Sequence, residues 1–322
     1  MSRFAPFALA AAAAAAFALP AAAEIDRPEC IAPAQPGGGF DLTCRIAQQG
    51  LEPFLDRQVQ VTFMPGGIGA VAFNMFNTTR TDDPNAIVAF STGSLLNLIT
   101  GKYGDWSIDD ARWLATAGTD YGAVVVLADS PYKTLDDLMA ALKEDPSSIT
   151  IGAGGSVGSQ DWMKAALLLK TIDGDPRKMR YVAFDGGGEA IAGVLGGAIQ
   201  VYTGDIGEMT SHMDGSLRIL GVMSDERLAP PFDQFATLKE QGYDAVWPIM
   251  RGFYMGKDVS DEDYQAWVDI FEKAHGSEEY RKIQSEKGLL PLDLSGEEFT
   301  AAVRAQTQQL HDLAVETGLI TE

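Results

Sequence analysis

Three glycine-rich turns constrain this chain more than any other feature. The first is Pro36-Gly37-Gly38-Gly39-Phe40-Asp41, between the apolar run 30–34 and the amphipathic run 42–54. The second covers residues 152–159, and the third is Asp185-Gly186-Gly187-Gly188. Each reads as strand, glycine turn, helix. Glycine lets the backbone approach a ligand closely and takes positive φ at no steric cost. The helix start behind it offers unpaired N–H groups and the positive end of a dipole. Each turn therefore has the makings of a site for an anion, a carboxylate or a phosphate.

The same alternation runs along the chain. Residues 59–63, 86–90, 122–128, 148–152, 180–184, 199–202 and 217–223 read as strands. The run Val124-Val125-Val126-Leu127 has the continuous apolar character of a strand buried on both faces. Helical patterns cover 69–79, 134–142, 160–171 and 189–195, and two more begin near Ser260 and Ser295. Thr134 with Asp137, Ser260 with Asp263, and Ser295 with Glu298 are N-terminal boxes. Alternating β and α units predict an α/β fold with mainly parallel sheets. Ligands of such sheets bind beyond the carboxyl ends of the strands. The three glycine turns and residues 91–94 all follow strands, so all are expected on that edge.

Residues 1–23 stand apart. Arg3 precedes an alanine-dominated apolar run that ends at Pro20, and Ala21-Ala22-Ala23 has the form of a signal-peptide cleavage site. The run is too short and too alanine-rich for a spanning helix. Export of a mature protein starting at residue 24 is expected, to the periplasm in a Gram-negative cell. Its 299 residues suffice for two domains. Loss of Arg3 changes the net charge from −21 to −22. So acidic a chain is not expected to bind nucleic acid or an anionic membrane through its overall field. Screening over about 8 Å still allows local N–H groups to hold an anion. Cys30 on the first strand and Cys44 one turn into the next helix could face each other. A disulfide and a pair of free thiols are both compatible with that placement.

Signatures of catalysis are missing. No glycine turn carries the lysine of a P-loop, and Gly152, Gly154 and Gly158 miss the dinucleotide-binding spacing by one residue. His212, His275 and His311 are scattered without metal-ligand or triad context. Ser156 and Ser159 are not in a nucleophile elbow. No metal, cofactor or catalytic residue is expected. Asp41 and Asp205 could form a carboxylate pair, but the plainer reading is that Asp41 caps its helix and Asp205 orients a ligand or water. Four or five hydrogen bonds to a carboxylate, at about 1.5–3 kcal/mol each, suffice for micromolar capture after immobilisation costs. Binding without reaction is the expectation.

Four elements in order resemble the solute receptors of tripartite tricarboxylate transporters, the Bug receptors. They are Pro36–Asp41 followed by Arg45, the shortened Pro65-Gly66-Gly67-Ile68-Gly69-Ala70, residues 152–159, and Phe184-Asp185-Gly186-Gly187 with Val194-Leu195-Gly196-Gly197. The Cys30 and Cys44 pattern and the segment 247–253 are most similar to the tricarboxylate-binding branch. The resemblance implies a type II periplasmic binding protein: two α/β domains, 24–122 plus 246–322 and 123–245, that close over a ligand. It implies a monomer that docks on the large and small membrane subunits of an ion-driven transporter. Citrate or a related tricarboxylate is the favoured ligand. The alternatives are another organic acid (a dicarboxylate, aromatic acid or acidic amino acid), a sensory ligand presenter, or a secreted hydrolase or lyase using Asp41 and Asp205. The implied ligand residues are Gly38, Gly39, Phe40, Asp41, Thr92, Ser94, Ser156, Gly158, Ser159 and Asp205. The family's Tyr-Lys and Asp-Asn pairs are Phe184-Asp185 and Gly204-Asp205 here, which leaves the far end of the ligand open. Arg251 either pairs with a third carboxylate or is a surface residue.

Overall fold

The structure is a computed structural model that describes residues 25–316 and 319–320. The proposed signal peptide lies outside the described residues. Ten strands form two five-stranded sheets. The first contains β1 (Glu29–Ala32), β2 (Gln60–Phe63), β3 (Ala86–Ser91), β4 (Ala111–Tyr121) and β10 (Pro248–Gly256), in the order β2-β1-β3-β10-β4. The second contains β5 (Ala123–Leu127), β6 (Thr150–Gly154), β7 (Arg180–Phe184), β8 (Val201–Tyr202) and β9 (Leu217–Val222), in the order β7-β6-β8-β5-β9.

Both sheets are mixed, whereas the sequence pattern predicts mainly parallel ones. β10 runs antiparallel to β3 and β4, and β5 runs antiparallel to β8 and β9. β4 and β10 are also strands that the pattern of alternation does not reveal. Both are mostly buried and carry glycine and arginine among their apolar residues. That composition hides a strand from a reading based on apolar periodicity.

Nine helices are described: α1 (Gly39–Gly50), α2 (Ala70–Thr78), α3 (Thr92–Ile99), α4 (Leu135–Glu144), α5 (Gln160–Lys170), α6 (Gly187–Leu195), α7 (Asp261–His275), α8 (Glu278–Glu286) and α9 (Gly296–Glu316). Two of the three expected helix starts are capped by their hydroxyls, while the Ser295 hydroxyl donates to Glu272 at 3.3 Å. Thr134 and Asp137 close a reciprocal box on α4, and Ser260 accepts from the Asp263 N–H on α7. Each such cap contributes about 1 kcal/mol. Helices cover both faces of each sheet. One face of the first sheet packs on Trp267 and Phe271, and the other on Phe73, Phe76 and Phe299. Cys30 of β1 and Cys44 of α1 form a disulfide with a Cα–Cα separation of 5.5 Å.

The chain passes between the sheets at Gly122 and again between β9 and β10. The two crossings lie side by side. Met223 N–H donates to the Gly122 carbonyl at 2.7 Å, and Gly122 N–H donates to the Trp247 carbonyl at 3.1 Å. Paired crossovers of this kind form a short two-stranded link about which two packed bodies can rotate.

Candidate binding cleft

The carboxyl ends of β1, β6 and β7 bring the three glycine turns together. Gly38, Gly39, Gly154, Ser159, Gly186 and Gly187 line one cavity of about 50 Å³ between the sheets. The first and third turns touch. A Cβ at Gly38 would lie 2.9 Å from the Gly188 nitrogen, and one at Gly188 would run into the Pro36 carbonyl. Only glycine on both sides allows this approach.

The N–H of Gly39 opens α1 and is expected from sequence to meet a solute anion. It meets the chain's own Glu208, whose carboxyl oxygen accepts at 2.6 Å. Glu208 comes from the 3-10 segment Ile206–His212 behind β8, so it reaches across from the second sheet to the first. Its other oxygen bonds the Tyr202 hydroxyl.

Two cations and three more carboxylates surround it. Arg251 of β10 donates from Nε to Asp120 at 2.9 Å and pairs with Asp205 through Nη2. Lys164 of α5 pairs with Asp161 at 2.6 Å and with Asp205. Asp120 also accepts from the Gly207 N–H at 2.9 Å, and Asp161 from the Gly154 N–H at 2.9 Å. All six groups are buried; Lys164 is 0 % and Arg251 1 % exposed.

Burial pushes the Glu208 carboxyl up to about 8, with the nearby Asp205 carboxylate adding to the rise. Burial also opposes ionisation of Asp205, but Lys164 and Arg251 outweigh it and hold that carboxyl low. The same carboxylates outweigh burial at Lys164 and Arg251 and keep both charged. Burial raises Tyr202 well above the ordinary tyrosine value, and Glu208 reinforces this, so Tyr202 stays a neutral phenol.

Of the residues singled out in the sequence, the cavity gathers Gly38, Gly39, Phe40, Ser159, Asp205 and Arg251. Ser159 caps α5, accepting from the Trp162 N–H and donating to the Gly154 carbonyl at 3.0 Å. Arg251 is not a surface residue; its pairing resolves that open question in favour of the interior. Asp41 turns outward, accepting from the Gly37 N–H at 2.8 Å and pairing with Arg45 at 2.9 Å. Asp41 and Asp205 therefore do not line a common cavity. Thr92 accepts from the Met250 N–H at 2.9 Å, and Ser94 completes the reciprocal cap of Ser91 on α3, so neither hydroxyl lines the cavity. Ser156 lines a neighbouring cavity instead, and Gly158, at φ +78°, serves the turn.

Asp120, Asp161, Lys164 and Glu208 escape the sequence reading. Two had a signal. Glu208 stands three residues after Asp205, the spacing of a capping box, and that box forms. Asp161 and Lys164 stand three apart on a largely apolar helix directly behind a glycine turn. Asp120, inside a strand, had none.

Two mixed α/β units with glycine turns meeting at strand ends over a buried polar cleft define a periplasmic-binding-protein architecture. Solved structures agree. The periplasmic binding protein BugD superposes with a TM-score of 0.80 at 18% identity, covering 91% of this chain and 98% of its own. A Rhodopseudomonas palustris protein with adipate gives 0.80 at 16% identity, covering 91% and 97%. A Cupriavidus necator protein described by its position in the gbd 5′ region is 27% identical over 283 residues, 87% of this chain and 84% of that one. Residues 43–319 match the model of the tripartite tricarboxylate transporter family receptor, and the chain belongs to that family. It is a solute-binding receptor of the periplasmic type and not an enzyme. Among the described residues no helix is long and apolar enough to cross a membrane.

Proposed function

We propose that this receptor captures a small organic carboxylate between its two α/β units, 24–122 plus 246–322 and 123–245. Exported by a cleaved peptide at 1–23, it would hand the solute to the large and small membrane subunits of a tripartite transporter. One observation carries the reading: three glycine turns from two sheets converge on a single buried cavity. The positive ends of α1, α5 and α6 then surround one small volume, an arrangement that favours an anion. A ligand that contacts both sheets favours the closed arrangement over the open one by its differential affinity. The adipate named with the Rhodopseudomonas palustris structure supports an organic acid as ligand class.

Citrate, favoured by the sequence resemblance, is the reference compound. Asp120, Asp161 and Asp205 already outnumber Arg251 and Lys164 in the cleft, with Glu208 still protonated below about pH 8, and this weighs against adding three more negative charges there. Thermal-shift measurements on the mature protein with mono-, di- and tricarboxylates test the function. A saturable rise in melting temperature with at least one acid is expected. No rise with any acid would refute it.

A further inference from the structure

The chain places its own carboxyl group at the anion position of the cleft. Glu208, 6 % exposed, sits where the starts of α1 and α6 meet. One of its oxygens accepts from the Gly39 N–H at 2.6 Å and lies against Gly187, where a Cβ would collide with it. The other bonds the Tyr202 hydroxyl. The cavity beside it, about 50 Å³, admits a few water molecules and no dicarboxylic acid.

One donor at this position is uncommitted. A Cβ at Gly39 would collide with the Arg251 guanidinium, so the two are in direct contact. Nε and Nη2 of Arg251 bond Asp120 and Asp205, whereas Nη1 has no hydrogen-bond partner among the described residues.

A second berth for Glu208 adjoins the first. The residue also lines a cavity of about 70 Å³ whose wall carries Arg45 and Lys287. Arg45 pairs with Asp41 there, and Lys287 has no ion-pair partner among the described residues. In the inner berth, burial and the neighbouring Asp205 and Asp161 keep the Glu208 carboxyl protonated. Beside Lys287 and Arg45 it can ionise.

On the receptor reading above, we infer that Glu208 is the chain's own stand-in for a solute carboxylate and sets the threshold for capture. A solute binds by displacing it. The Glu208 side chain turns from the Gly39 N–H toward Lys287 and Arg45, and the solute carboxylate takes that N–H together with Arg251 Nη1. The outer cations offset the contacts that Glu208 gives up. A solute with too few further contacts in the cleft fails to displace it, so the residue also selects among acids.

Calorimetric titration of the mature protein with malate, adipate and citrate, and with any other acid that raises its melting temperature, tests the displacement. Glu208→Ala empties the berth, and at least one acid is expected to bind it at least ten-fold tighter than wild type. Glu208→Gln keeps the occupant but gains nothing beside Lys287, so the same acid is expected to bind about five-fold weaker than to wild type. Lys287→Gln, at a half-buried position, is expected to weaken binding as much in the wild-type chain and to have no further effect in the Glu208→Gln chain. A residue that merely supports the fold would shift both Glu208 variants in one direction. Every acid binding Glu208→Ala no tighter than wild type, or Lys287→Gln and Glu208→Gln acting independently, would overturn the displacement and leave the receptor reading standing. Failure of every acid to bind any of these forms would overturn both.

Discussion

Replacing Glu208 by glutamine keeps the side-chain shape and an acceptor for the Gly39 N–H, and removes one proton equilibrium. In the folded protein this carboxyl loses its proton only near pH 8, against 4.5 when unfolded. Between those values the folded state binds a proton that the unfolded state has released. Its contribution is therefore fully present below pH 4.5 and is lost as pH rises toward 8. The full shift corresponds to about 5 kcal/mol as an upper limit. Water entering a partly opened cleft reduces this, and about 2–4 kcal/mol is the expected loss between pH 5 and pH 8. Tyr202 and the Gly39 N–H contact Glu208 directly, and Asp205, Asp161 and Arg251 act on it through their charges; the substitution leaves all of them in place. Urea unfolding of wild type and Glu208→Gln at both pH values isolates the one group as a difference of differences. Wild type is expected to lose clearly more stability than the variant on going from pH 5 to pH 8. Equal losses would show that Glu208 is not held protonated in the fold.

Two further outcomes follow from the contacts. Gly188→Ala is favoured by helix propensity within α6 by about 1 kcal/mol, yet its methyl would strike the Pro36 carbonyl of the facing turn. Small-angle scattering is expected to show a protein held open, with ligand affinity reduced at least ten-fold; a compact variant with unchanged affinity would refute the approach of the two turns. Reduction of the Cys30–Cys44 bridge, with a sequence separation of 14, is expected to remove about 3 kcal/mol, read as a lower urea midpoint in dithiothreitol; an unchanged midpoint would refute it.

Much of the frame is legible in the residues. Glycine clusters behind apolar runs mark the strand–turn–helix units, and Thr134 with Asp137 and Ser260 with Asp263 mark helix starts, because these are local interactions between residues three or four apart. β4 and β10 are less legible. Their burial on both faces removes the alternation that distinguishes a strand, and Arg251 inside β10 is a residue that burial normally excludes. The hydroxyls of Thr92 and Ser94 are taken up by backbone groups: Ser94 accepts from the local Ser91 N–H, as serine at a helix start commonly does, and Thr92 accepts from the distant Met250 N–H of β10.

The sequence by itself determined the class of fold, the three glycine turns and their common edge, because glycine, caps and apolar periodicity act over a few residues. Tertiary structure alone decided what faces those turns. Glu208 lies 169 residues from the Gly39 N–H it binds, and Arg251 lies 131 residues from Asp120 and 46 from Asp205. A charge in the interior persists only when partners from distant elements surround it. No local pattern encodes that meeting, so the electrostatic character of the cleft emerged only once the two sheets were packed together.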